Sequence, residues 1–149
     1  MAMNYTAEGP IGGVAFLAHA ASQQVNIVVN GSVTIAFGTE IFDVGTNFAS
    51  NTFTAPVAGK YLLSGAPYWH NPDSAANYIQ IYMVTSNRSW YQIYALNQLT
   101  GDPLYWGQSI TVVTDMDASD TAYMAVYQSV GTAQMDTDTT SYFSGCLVA

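Results

Sequence analysis

The sequence predicts an all-β fold, an antiparallel sandwich or jelly roll, on three observations. Period-two apolar runs recur along the chain, clusters of turn residues separate them, and no window sustains a 3.6-residue apolar period. Short strands without intervening helices specify that class of architecture.

The runs can be placed in order. After a Gly- and Pro-containing arm, "GVAFLAHAA" opens an apolar segment, and "QVNIVV" alternates from Gln24 to Val29 before "NGS" supplies a turn. "SVTIAF" continues to Phe37, and "KYLLSGAPYW" runs from Lys60 to Trp69. In "NYIQIYMV", Ile79, Ile81 and Met83 alternate with Tyr78, Gln80 and Tyr82. "SWYQIYAL", "SITVVTD", "TAYMAVYQS" and "SYFSGCLV" complete the series, divided by "HNPDS", "TSNRS", "LTGDP" and "DMDASD". In "FTAPVAGKYLLSG", Pro56 cannot donate to a sheet ladder and Gly59 can take positive φ, so one strand ends there and another begins. Tyr61, Leu63 and Gly65 then share a face. The organisation is one domain over 14–149, preceded by an arm from Met1 to Gly13.

Composition narrows the function classes. Only 8% of the 149 residues are charged against 50% hydrophobic, which suits a chain that hides part of its exterior in an oligomer. Lys60 and Arg88 are the only basic residues, too few to replace counterions around nucleic acid, and the net charge of −8 opposes anionic membranes. No apolar stretch is long enough to span a bilayer, and no secretory leader is expected of "MAMNYTAEGPIGG". Asn4, Asn30 and Asn87 begin glycosylation triplets that read as surface polar residues. Cys146, the single cysteine, excludes an intrachain disulfide and reads as a small buried hydrophobe.

The stretch around Phe53 resembles the complement C1q globular-head family of the tumour necrosis factor superfamily. The family's spaced Phe, acidic or amide, aromatic, Phe, Gly and Tyr are filled here by Phe37, Asp43, Phe48, Phe53, Gly59 and Tyr61. The Phe48 to Phe53 gap is two residues shorter than usual, and Leu63 and Gly65 replace later aromatics. "DASDTAYMAVYQS" is similar to the family's Ala-Gly-Asp turn, with Asp120 in place and Ser119 where glycine is usual. "SYFSGCLVA" resembles the closing strand through Phe143, Ser144 and Gly145. The resemblance implies a ten-stranded jelly roll that forms a homotrimer. It also implies kinship with members in bacteriophage particles, where they serve as fibre tips, spikes and decoration subunits.

No catalytic pattern is present: no nucleophile elbow, no phosphate-cradling loop, and no paired acid and base. His19 and His70 lie in separate segments without zinc-ligand spacing. No cofactor is expected. Asp115, Asp117 and Asp120 offer hard oxygens for calcium, which some family members bind, but a solvated turn is the favoured reading; Asp136 and Asp138 read likewise. Tyr123 and Tyr127 should project from one face of their strand as trimer-interface candidates. Trp69, Trp90 and Trp106 fall near strand ends, where sugar stacking competes with core packing. The expected function is a non-enzymatic trimer on a virion surface. It would decorate or cement a capsid, held by Met1 to Gly13 on the major capsid protein or another virion protein. A receptor- or glycan-binding fibre tip, with a host glycan as partner, is the alternative; a secreted complement-like lectin comes third.

Overall fold

The computed structural model describes residues 13–149. Fourteen strands follow one another: β1 (Ala15–His19), β2 (Ser32–Thr34), β3 (Thr39–Val44), β4 (Phe48–Ala49), β5 (Thr52–Thr54), β6 (Gly59–Ala66) and β7 (Tyr68–His70). β8 (Tyr78–Thr85), β9 (Ser89–Tyr94), β10 (Tyr105–Gly107), β11 (Ile110–Met116), β12 (Thr121–Ser129), β13 (Asp136–Thr137) and β14 (Tyr142–Leu147) complete the set. A 3-10 turn at Leu96–Gln98 is the only helical element among the described residues. The strand count exceeds ten because several paired segments are only two or three residues long.

Two main sheets face each other. The first runs β11-β6-β14-β1-β3; the second runs β4-β5-β12-β8-β9, with β2 also paired to β12. A small sheet, β10-β7-β13, closes one end. First and last strands are neighbours: Ala15 to His19 pair with Cys146 to Tyr142. This is the antiparallel jelly roll that the period-two runs anticipate.

Alternation decides what each strand buries. In β6, Tyr61, Leu63 and Gly65 point inward while Leu62 and Ser64 point out; in β12, Ala122, Met124 and Val126 are buried. The core centres on Phe16, whose ring stacks on Phe48 and Phe53 at 4.9 and 4.8 Å and meets Phe143 edge-on at 4.9 Å. Such aromatic pairs add about 0.5–1.5 kcal/mol each beyond the area they bury.

Three local expectations change. Gln24–Val29 is not a strand: Asn26 sits at φ +53° with its amide bonded to the Asp136 carboxylate, and Val29 makes only an isolated parallel bridge to Gln128. "SVTIAF" is strand only over Ser32–Thr34, after which the Gln24 and Asn51 side chains take the Ala36 and Phe37 amides. Gly59 does not occupy the positive-φ region; a Cβ there would stand 2.5 Å from Leu147 Cδ1 and 2.6 Å from the Ala149 carbonyl oxygen. Close approach of the C-terminal backbone, rather than an unusual dihedral angle, requires glycine at the start of β6.

Candidate functional site

The motif residues build the frame. Asp43 accepts the Asn47 and Phe48 amides at 3.0 and 2.8 Å, closing the turn through Gly45 (φ +95°) and Thr46 (φ +54°). That turn delivers Phe48 opposite Phe53 in the β4–β5 hairpin. Ser50 and Asn51 have φ of +50° and +67°, as a two-residue primed turn requires, so the shortened gap is a tight hairpin. Phe37, Phe53, Tyr61 and Phe143 are all buried. The Tyr61 hydroxyl donates to the Val57 carbonyl at 2.7 Å, and burial raises its phenol pKa. A Cβ on Gly145 would lie 2.7 Å from both Leu63 and Phe16, so this glycine lets β14 pass beside the aromatic core.

The acidic loop before β12 does turn work. Asp120 Oδ2 accepts the Asp117 amide and an Asn87 side-chain N–H, both at 2.9 Å, while Ser119, at φ +75°, takes the backbone shape that glycine would. Asp115 pairs with Arg88 at 2.9 Å. Among the described residues no three metal-ligating side chains converge, so the calcium candidates Asp115, Asp117 and Asp120 gain no support.

Assembly of the first sheet exposes a face that the linear sequence conceals. Register places Val113, Leu62, Cys146, Ala15 and Val44 in one row across all five strands. The next row is Thr111, Ser64, Ser144, Leu17 and Phe42. Neither row contains a charge. Phe42, Val44 and Val113 are 47%, 49% and 62% exposed. Phe42, Leu62 and Cys146 also line a shallow groove of about 210 Å³. Cys146 is therefore half-buried on this outer face rather than enclosed in the core.

Tyr123 and Tyr127 lie elsewhere, on the outer face of the second sheet, opposite Val84 and Gln80 of β8. Tyr127 packs on Tyr78 at 6.1 Å and Tyr82 on Tyr91 at 6.3 Å. Burial, reinforced by Tyr78, Tyr127 and Tyr91, raises the Tyr82 pKa. This is a second tyrosine-rich face, on which Tyr91 and Ile93 of β9 remain 60% and 50% exposed.

The tryptophans divide. Trp69 is fully buried and donates its indole N–H to Gln108 Oε1 at 2.8 Å, so it is a core residue and no sugar platform. Trp90 is half-buried beneath Arg88, and Trp106 meets Tyr94 edge-on at 5.8 Å. Beside Trp106, Tyr68 stacks on Tyr105 at 5.9 Å, forming an aromatic end to the sandwich.

Both histidines are committed to structural contacts. His70 Nε2 contacts Asp138 at 2.7 Å and Nδ1 contacts the Gln23 amide at 3.1 Å; His19 Nδ1 lies against the Ala20 and Thr139 carbonyls. Thr140 hydroxyl and amide donors, with His70 adding to them, hold the Asp138 carboxyl below its ordinary value. The proposed attachment segment Met1 to Gly13 lies outside the described residues except for Gly13 itself, which is exposed.

Comparison with known proteins agrees with this architecture. The family model for the C1q domain matches residues 15–148. The globular domain of zebrafish complement 1qA superposes with a TM-score of 0.67 at 12% identity, covering 92% of this chain and 98% of that one. Murine APRIL, in a crystal structure at pH 8.5, gives 0.63 at 8% identity, covering 91% and 98%. These two structures share the fold with the present chain. No curated protein matches its sequence.

Proposed function

We propose that this chain, which belongs to the C1q domain family, works as a homotrimeric, non-enzymatic structural and binding subunit. The uncharged band across the outer face of the first sheet carries this reading. Five strands present Val113, Leu62, Cys146, Ala15 and Val44 in register, flanked by Leu17 and Phe42, and among the described residues Phe42, Val44 and Val113 stay about half exposed or more. A contiguous apolar face of this kind marks an interaction surface. A head-to-tail contact that closes after three copies would bury it without leaving an open edge for further growth. The interface therefore belongs to the first sheet, and Tyr123 and Tyr127 decorate the exterior of the second.

The polar groups support a non-catalytic role. Asp43 and Asp120 hold turns, both ring nitrogens of His70 are engaged, and Asp102 accepts from Ser74 and Gln134 in a loop tie. No nucleophile stands beside a free base among these groups.

The setting we propose is a virion surface, where the trimer decorates or cements a capsid and Met1 to Gly13 seats it on the major capsid protein or another virion protein. The sequence resemblance to phage members and the charge-poor exterior favour lattice packing. Recognition of a host glycan at a fibre tip is the second reading, favoured by the aromatic end of the sandwich. Native mass measurement should return three times the 16.0 kDa chain mass; a stable monomer at micromolar concentration would overturn the trimer. Labelled antibody on intact particles should cover the shell, whereas labelling confined to tail tips would favour recognition over decoration.

A further inference from the structure

None of the strands of the second sheet, β2, β4, β5, β8, β9 and β12, contains an Asp, Glu, Lys or Arg residue. Register gives its outer face. Tyr127, Gln80 and Ile93 form one row across β12, β8 and β9, and Ala125, Tyr82 and Tyr91 form the next, while the alternate residues Ile81 and Met124 enter the core. With strands about 4.8 Å apart and a rise of about 3.3 Å per residue, eight residues on three strands cover roughly 400 Å². An exposed patch of that size marks an interaction site, and absence of charge with enrichment in tyrosine is the composition of an interface core.

The margins of the face select its occupant, because carboxylates stand at both ends of β8, its central strand. At the start, Asp102 accepts the Ser74 amide and hydroxyl at 2.8 and 2.6 Å, in the segment that leads into Tyr78. At the other end, Asp120 accepts an Asn87 side-chain N–H at 2.9 Å, and Asp117 is exposed in the same turn. Arg88 is already paired with Asp115, and Lys60 belongs to the first sheet. These two are the only basic residues in the chain, so a second copy laid on this face would set carboxylates against carboxylates with almost no cations between them. The fitting occupant brings its own positive charge.

We propose that the outer face of the second sheet docks a different protein, one whose contact surface has an apolar centre and Lys or Arg at its margins. Tyr91, Ile93, Tyr82 and Tyr127 meet the apolar centre, and Asp102, Asp117 and Asp120 take the cations. One chain supplies the whole surface. The inference rests on the trimer reading in one respect: burial of the first sheet between copies leaves three second sheets facing outward. A modest contact at each is then strengthened about 10² to 10⁴-fold when all three engage.

The test is zero-length carbodiimide coupling, which joins a carboxylate directly to an amine, applied to the full-length protein in its native source before purification, with the linked peptides read by mass spectrometry. Lys60 is the only lysine in the chain, so a link from Asp102, Asp117 or Asp120 to any other lysine identifies a different protein. Such links are expected. Their yield should fall about tenfold between 0.1 and 1 M salt as screening shortens the reach of the charges, and they should be lost in the double variant Tyr91→Thr, Ile93→Thr. Threonine keeps the strand propensity of β9, so that variant should retain the native mass and unfolding midpoint. Absence of links from all three carboxylates overturns the proposal. Links that persist in the folded variant would assign them to the acidic ends alone and overturn the docking face. Trimers that associate with one another more strongly as salt rises would show that a second copy covers the face. A monomer that forms links dependent on Tyr91 and Ile93 overturns the assembly reading and leaves this one standing, and a linked partner that is not a virion protein overturns only the proposed setting.

Discussion

Replacing Ser119 with glycine should stabilise the protein, and its size can be worked from the turn. Ser119 is exposed, lies at φ +75°, and makes only backbone contacts of note: its amide donates to the Ala55 carbonyl at 2.8 Å. Holding an L-residue in this left-handed region costs roughly 1–2 kcal/mol. Glycine removes that cost but adds about 0.4–1 kcal/mol of unfolded-state freedom. The net gain should be about 0.5–1 kcal/mol. For a domain of this size that raises the melting midpoint by about 2–4 °C per kcal/mol. Urea denaturation at one fixed protein concentration reads the difference without the shift that subunit association introduces. Ser119→Ala, which keeps the Cβ, is the control and should change nothing. If glycine gave no gain, or alanine gave the same gain, the strain assigned to this turn would be refuted.

Asp43→Ala should cost about 1–3 kcal/mol in the same assay, since it strips the Asn47 and Phe48 amides of their acceptor. Tyr61→Phe should cost about 1 kcal/mol through the lost bond to Val57, with the aromatic packing retained. Acid should act in two stages. The protein should precipitate near its pI of about 4.1 with its fold intact and redissolve at neutral pH. Asp102 and Asp138 have folded pKa values below the ordinary 3.8, so the stability they contribute is present above that value and is lost as pH falls below it. Turbidity and circular dichroism across pH 7 to 2 should show solubility failing before secondary structure; the reverse order would contradict this assignment.

Much of the fold is legible in the sequence because alternation and turn chemistry point the same way. β12 spans Thr121–Ser129, the run that alternation marks, with Ala122, Met124 and Val126 inward. Legibility fails where one side chain overrides a pattern. Asn26 breaks the alternating Gln24–Val29 by adopting positive φ, and a Ser-Asn turn closes the β4–β5 hairpin without the glycine that usually signals it. β3 escapes notice because Glu40, Ile41 and Phe42 are all exposed at a sheet edge, leaving no buried period to read. The sites are less legible still. The apolar row from Val113 to Val44 draws one residue from each of five strands, and only the register reveals that they are neighbours. The aromatic end of the sandwich joins Tyr68, Tyr94 and Tyr105, whose separation along the chain erases any local motif. Tyr123 and Tyr127 show the converse: alternation gives their face, and only the sheet order shows that it is the outer face of the second sheet.

The lone cysteine tests the central claim directly, because Cys146 sits in the middle of the apolar row. Its rate of reaction with a maleimide should be measured in the native protein and in Leu62→Asp, which places a charge beside it in register. The native protein should have a trimeric mass and a slow, protected thiol, while the variant should be folded, monomeric and fast to react. A native trimer whose Cys146 reacts as quickly as that of the monomeric variant would show that this face is not where the copies meet.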